Sequence, residues 1–269
     1  MSENREDAMS RTTATYAPVA SRSHKIQIER VGLDAVTIPE LKGKLSEFIA
    51  SRTAHQIVTV NLRFLSIAHH DQPFENVINE AALAVADGMP LLWLSRFIGT
   101  PVPQRITGTT LLHCAASLAT EKGYGLFVLG SSPGIAEEAV RRLCSRYPGL
   151  RITGTHHGYF RTEEEDEVVS TIRRSKPDIL FVAMGCPKQD VWIHDHLEAL
   201  GVPVCAGIGG TLDVLVGRLK PAPMWMQRSG LEWFYRLAQE PRRLWRRYLL
   251  EDLPTAFRVG GSVLLGRSR

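Results

Sequence analysis

From residue 25 onward, short β-branched runs alternate with stretches whose apolar residues recur every three or four positions. IQIERVGLDAVT (26–37) reads as a strand. The helix after it is capped by Thr37, has Pro39 in its first turn and gathers Leu41, Leu45, Phe48 and Ile49 on one face. QIVTVN is the next strand. FLSIAHHDQPFENVINEA is helical with a break near Pro73, ALAVADG is a strand ending on an acid, and TGTTLLHCAASLATEKG is a helix closed by Gly123. In the second half GLFVLG, LRITGTHHGYF, DILFVAMG and VPVCAGIGG are strands. IAEEAVRRLCSRY, TEEEDEVVSTIRRS (with a capping box at Thr162 and Glu165), DVWIHDHLEALG and TLDVLVG follow them as helices or turns. The alternation predicts an α/β, Rossmann-like fold: a mostly parallel sheet with helices on both faces. In such sheets ligands bind beyond the carboxyl ends of the strands.

Several candidate residues lie at those ends. Thr59 and Asn61 close VTVN. Asp87 follows an apolar run; partial burial there raises a carboxyl pKa and makes a general base, whereas the plain alternative is a helix cap or turn residue. Gly185-Cys-Pro-Lys188-Gln189-Asp190 is a glycine loop entering a helix, suited to a phosphate or a nucleotide base, or else an ordinary connection. Gly207-Ile-Gly209-Gly210-Thr211 lets a ligand or neighbouring backbone approach closely. Gly130-Ser-Ser-Pro-Gly134 lacks both the dinucleotide fingerprint and the P-loop Lys. Arg105 precedes a helix as a lone cation, by default a surface ion pair. The EEEDE run (163–167) is a solvated first turn, where negative charge suits the helix dipole. His156-His157 has no further ligand at useful spacing, and no DxD pair occurs, so no metal site is expected.

Charge changes the picture at one end only. After Pro221 come nine arginines, no lysine and four acids, a segment of +5, while the preceding residues carry 23 basic and 24 acidic side chains. In PRRLWRRYLL, Leu244, Trp245, Tyr248 and Leu249 fall on one helical face beside Arg242, Arg243, Arg246 and Arg247. A basic amphipathic helix with aromatic residues suits an anionic headgroup layer; partner docking and nucleic-acid binding are its rivals. Four separated cysteines read as reduced thiols, and no apolar run approaches the roughly 20 residues of a membrane span. The start of the chain has no apolar centre of a signal peptide. The expected organisation is a disordered leader (1–24), an α/β core (25–223) and an Arg/Trp-rich, membrane-associating helical appendage (224–269).

Taken in order, VTVN (58–61), ADG (86–88), QRITGTTLL (104–112), YPGLRITGTHHGYF (147–160), KPDILFVAMGCPKQDVWI (176–193), GIGGTLDVLVGRLKPAP (207–223) and GLEWFYRLAQEPRR (230–243) resemble the WecG/TagA/CpsF family of bacterial glycosyltransferases. The resemblance covers residues 26 to about 250. It implies metal-independent, inverting transfer of a hexose or N-acetylhexosamine from a UDP-sugar to a polyprenyl-diphosphate-linked sugar, without a cofactor. N-acetylmannosamine and glucose are the alternative donor sugars. By position, Asp87 would be the catalytic base, and Thr59 and Asn61 would line the site. Arg105 would reach the acceptor or diphosphate and Gln189 the nucleotide. Arg236, Arg243 and Arg246 would hold diphosphate, with Lys188, Gly185, Gly209 and Gly210 as further contacts. The family's setting implies attachment to anionic lipid on the inner face of the plasma membrane, a self-associating soluble form and no nucleic-acid partner. Met89-Pro90 and Cys186 depart from the family's pattern at positions that bear on the donor sugar. Outside the family, a nucleotide-dependent oxidoreductase or a non-catalytic anion- or nucleic-acid-binding module are the competing readings.

Overall fold

The structure, a computed structural model, describes residues 25–264. The expected disordered leader lies outside the described residues, as do Arg267 and Arg269.

The centre is a six-stranded sheet, with β3 (His55–Val60), β4 (Leu83–Ala86), β5 (Gly125–Gly130), β6 (Arg151–His156), β7 (Ile179–Ala183) and β8 (Val204–Gly207) in the order β4-β3-β8-β7-β5-β6. Every pairing in it is parallel. Alternate strand residues feed opposite faces. Ile57, Leu126, Val128, Ile179 and Phe181 join one cluster with α1 (Ile38–Ser51), α5 (Gly108–Lys122) and α6 (Ile135–Arg146). On the other face Val58, Val60, Ala84 and Ala86 meet α2 (Leu62–Ala68), α3 (Gln72–Glu80) and α4 (Met89–Phe97). Farther along that face Phe127, Leu129, Leu180 and Val182 pack with α7 (Glu165–Ser175) and α8 (Lys188–Leu200). Burial on both sides explains why these strands read as continuous apolar runs.

Local signals set several boundaries. Thr37 and Glu40 form a reciprocal capping box on α1, and Gly123 closes α5 in a left-handed conformation. The break in FLSIAHHDQPFENVINEA falls at 69–71, where Asp71 caps α3. Four expectations are corrected. The stretch 26–37 is a hairpin, β1 (Lys25–Ile28) and β2 (Val31–Asp34), because Glu29 turns the chain with φ 54°. Asp34 then accepts a 2.8 Å hydrogen bond from the Ala84 N–H, so the hairpin blocks the outer edge of β4. The cap before α7 lies one residue earlier than expected, with the Arg161 N–H donating to Glu164 at 2.7 Å across a short 3₁₀ turn, Thr162–Glu164. Helix α8 already begins at Lys188, so Lys188 and Gln189 are helical and not loop residues. Helix α4, which follows Asp87 directly, had no counterpart in the periodicity.

The appendage is helical: α9 (Thr211–Leu215) leads through a proline-bearing connection to α10 (Met224–Arg228), α11 (Glu232–Gln239), α12 (Pro241–Arg246), a π-helical stretch (Arg247–Asp252) and α13 (Leu253–Leu264). The single apolar face expected in PRRLWRRYLL is divided. Leu244 and Tyr248 turn inward and are buried, while Trp245 and Leu249 are exposed. Adjacent residues point about 100° apart around a helix, so docking one member of each pair turns the other outward. Val259 of α13 is fully buried among core side chains of the hairpin, α2, α3 and α4. Ion pairs fasten the same contact: Arg63 with Glu251, and Arg258 Nε and Nη2 on the Glu29 carboxylate at 3.0 and 3.1 Å.

Candidate active site

Four neighbouring strands, β4, β3, β8 and β7, end on the same side of the sheet, and their termini carry the predicted residues. Asp87 extends β4 by one residue, its N–H donating to the Val60 carbonyl at 2.6 Å. The next residue, Gly88, takes the N-cap position of α4, so Asp87 is not that helix's cap. The chain then returns: the Ile106 N–H donates to the Ala86 carbonyl at 2.9 Å, which brings the start of α5 beside Asp87. Gly108 is needed there, because a Cβ would lie 2.9 Å from both the Ile208 carbonyl oxygen and the Thr211 hydroxyl.

Asp87 keeps some exposed surface, yet protein crowds it closely. Burial pushes its carboxyl up to about 6, against the lowering effects of Arg105, Arg236 and a hydrogen bond from the Gly108 N–H; Glu232 adds to the rise. A carboxylate poised near neutrality suits a general base. Arg105 is not a solitary surface cation. It donates to Glu232 at 3.0 Å and to Gln227 at 3.4 Å, both from the appendage. Glu232 also faces Arg236 across one helical turn, at 3.7 Å. Core acid, core arginine, appendage acid and appendage arginine therefore share one electrostatic cluster.

Around this cluster the other expected residues hold backbone in place. Thr59 is buried and donates to the Gly207 carbonyl at 3.3 Å, tying the tops of β3 and β8. Asn61 caps α2 by accepting from the Arg63 N–H at 3.0 Å, and its Cβ faces Gly88. Gln189 is buried, and its side-chain oxygen accepts from the Gly185 N–H at 3.1 Å and the Gly209 N–H at 3.0 Å. It thus links the two glycine loops at the ends of β7 and β8, and this oxygen is committed to those two backbone donors. Gly185 and Gly209 both have positive φ, 84° and 52°, which the loops require. Gly210 is exposed at the start of α9. Lys188 is exposed, with its ammonium 5.6 Å from the centre of the Phe160 ring.

The appendage arginines separate. Arg236 acts on Asp87; Arg246 is exposed with its guanidinium over the Trp245 ring, 5.4 Å from the centroid. The Arg243 side chain lies outside the described residues. His156 turns its Nδ1 to the His157 carbonyl, and no group of three metal-ligating side chains occurs among the described residues. Sequence reasoning missed Glu232, Gln227 and Gly108. The motifs GLEWFYRLAQ and QRITGTT contain Glu232 and Gly108, but Glu232 looked like mere compensation for nearby arginines, and Gln227 lies outside both.

Asp190 is a second anomaly. It is fully buried under Gly207, and burial pushes its carboxyl to about 7, only partly countered by the neighbouring Gln189 amide. That amide lies close enough to act electrostatically, yet neither carboxylate oxygen has a hydrogen-bond partner of good geometry among the described residues.

A parallel α/β sheet with a near-neutral acid at a strand end, flanked by arginines and glycine loops, has the chemistry to meet an anionic ligand and to accept a proton. The Glycosyl transferase WecG/TagA/CpsF family model matches residues 26–269, and the chain belongs to that family; it is a glycosyltransferase. It is similar to the N-acetylglucosaminyldiphosphoundecaprenol N-acetyl-beta-D-mannosaminyltransferases of Staphylococcus aureus strains MW2 and MRSA252. Each is 33% identical over 236 residues, covering 87% of this chain and 91% of the relative.

Proposed function

We propose that the protein is an inverting transferase that moves a sugar from a UDP-sugar to a polyprenyl-diphosphate-linked sugar. The observation that carries this is the cluster of Asp87, Arg105, Glu232 and Arg236 at the junction of core and appendage. Asp87 takes the proton of the acceptor hydroxyl as its oxygen bonds to the anomeric carbon. The bond from that carbon to UDP breaks, and its electron pair passes to the β-phosphate. Arg105 and Arg236 lie where they can offset the departing charge, and a diphosphate would replace Glu232 as the anion facing Arg105. Gln189 keeps the backbone N–H groups of the two glycine loops in register for the nucleotide. The chain carries no DxD pair, so the reading assigns charge stabilisation to guanidinium groups and backbone N–H groups, with no cofactor. Of the two donor sugars, N-acetylmannosamine is favoured by the names of the relatives.

The appendage supports work at a lipid surface, on the inner face of the plasma membrane. Trp225, Phe234, Trp245, Leu249, Leu250 and Phe257 are all exposed, interspersed with arginines, and no helix among the described residues is long and apolar enough to cross a membrane. Such a surface fits an anionic interface layer. The test is a panel of UDP-sugars with a lipid-diphosphate-sugar acceptor, following UDP release. Turnover by the wild type and loss of several orders of magnitude in Asp87→Asn, with UDP affinity retained, is the expected result. Equal rates for the two proteins would refute the assignment, and salt-sensitive nucleic-acid binding indifferent to Asp87 would favour the non-catalytic alternative.

A further inference from the structure

Helix α4 leaves the site directly: Asp87 and Gly88 precede it, and Met89 is its first residue. Its inward face, Leu91, Leu92, Leu94 and Ser95, is buried in the core. Its outward face should then be polar, yet it presents Met89, Trp93 and Phe97, spaced four residues apart on one stripe. Trp93 is 39% exposed and Phe97 73% exposed, with Arg96 beside them. The eight steps from Met89 to Phe97 carry the stripe about 12 Å along the helix axis. At its inner end the stripe meets the appendage: Gly230 has φ 70°, and a Cβ there would lie 2.4 Å from the Trp93 ring and 3.2 Å from Met89. Two residues after Gly230 comes Glu232, which holds Arg105. Farther out, Trp93, Arg96 and Phe97 border a shallow, open and mostly apolar depression. An apolar track thus starts beside the reacting groups, where Met89 also touches the core, and ends at the exposed aromatic surface of Trp93 and Phe97.

We propose that the Met89–Trp93–Phe97 stripe of α4 seats the first isoprene units of the acceptor lipid, leading the chain from the diphosphate at Arg105 and Arg236 toward the membrane. The inference rests on the reaction proposed above and adds where the hydrocarbon of the acceptor lies. A branched, unsaturated hydrocarbon fits flat aromatic and thioether surfaces, and its attached diphosphate fits the arginines at the inner end. Arg96 is placed to meet headgroup phosphate at the outer end.

The test uses the full-length enzyme in detergent micelles with two acceptors that share one sugar diphosphate. One bears a long polyprenyl chain and the other a single prenyl unit, too short to reach Phe97. Phe97→Ser is exposed enough to leave folding intact, and it is expected to raise the ratio of KM for the long acceptor to KM for the short one about tenfold. Phe97→Leu should restore most of the difference, and Tyr159→Ser, at an exposed aromatic after β6, should leave the ratio alone. In parallel, an isoprenoid diphosphate with a photoreactive group on its chain is expected to label residues 89–97. An unchanged ratio in Phe97→Ser, or labelling confined to the appendage, would overturn the proposal. So would a variant that loses only binding to anionic vesicles, since the stripe would then touch bilayer and not the acceptor. If wild type turned over neither acceptor, the reaction assignment would fall, while the photolabel would still decide whether α4 binds isoprenoid.

Discussion

Asp190→Asn removes an acid from a place that compensates its charge only in part, and its effect can be worked from the structure. The Asp190 side chain is fully buried, and its carboxyl lies at about 7 in place of 3.8 because of burial. A displacement of that size corresponds to at most about 4 kcal/mol against the ionised form. The unfolded chain releases this proton near pH 4, the folded chain near 7. Between those values the unfolded state binds fewer protons, so stability falls as pH rises and the whole penalty is present above pH 7. Asparagine keeps the shape and removes the titration. It also leaves a buried amide short of partners, which costs about 1–3 kcal/mol at every pH. The diagnostic quantity is therefore the pH dependence and not the offset. Urea unfolding at pH 4.5, 6 and 8 should show wild type losing stability relative to Asp190→Asn, by up to about 4 kcal/mol across the series. Parallel curves for the two proteins would refute the reasoning, since Asp190 would then be solvated or paired in the folded state.

The pH–rate profile of wild type should have an acid limb near 6, because Asp87 works as a base only when ionised and burial holds its carboxyl there; a limb near 4 would place Asp87 in open water. Gly230→Ala should cost about 1–3 kcal/mol in stability from its left-handed backbone and the Trp93 contact, with a larger fractional loss of turnover, measured by denaturation and UDP release. Deleting residues after Pro223 removes Glu232 and Arg236 from Asp87; circular dichroism should still report the core while turnover on lipid acceptor is lost. Replacing Leu249 and Leu250 by Ser should weaken sedimentation with anionic vesicles while leaving thermal stability within about 0.5 kcal/mol, since both side chains are exposed.

Binary pattern alone placed the six parallel strands, most of the helices and the acid at the end of β4. Short, β-branched apolar runs bounded by turn residues read as strands covered on both faces, and in such a sheet the polar residues that close them converge on one edge. The charge step after Pro221 likewise marked the appendage before any coordinates. What the pattern could not convey was anything set by contact between distant segments. Glu232 reads as one acid among arginines until the fold brings it 127 positions back to Arg105. Nothing in the local pattern shows that the Gln189 oxygen joins the Gly185 and Gly209 N–H groups. Tyr248 and Leu249 read as one face until docking on the core buries the first and exposes the second. Local periodicity encodes which side of an element is apolar. Which apolar side meets the core, and which acid meets which cation, depends on loop closure and packing across the sheet, and the tertiary structure alone decides it.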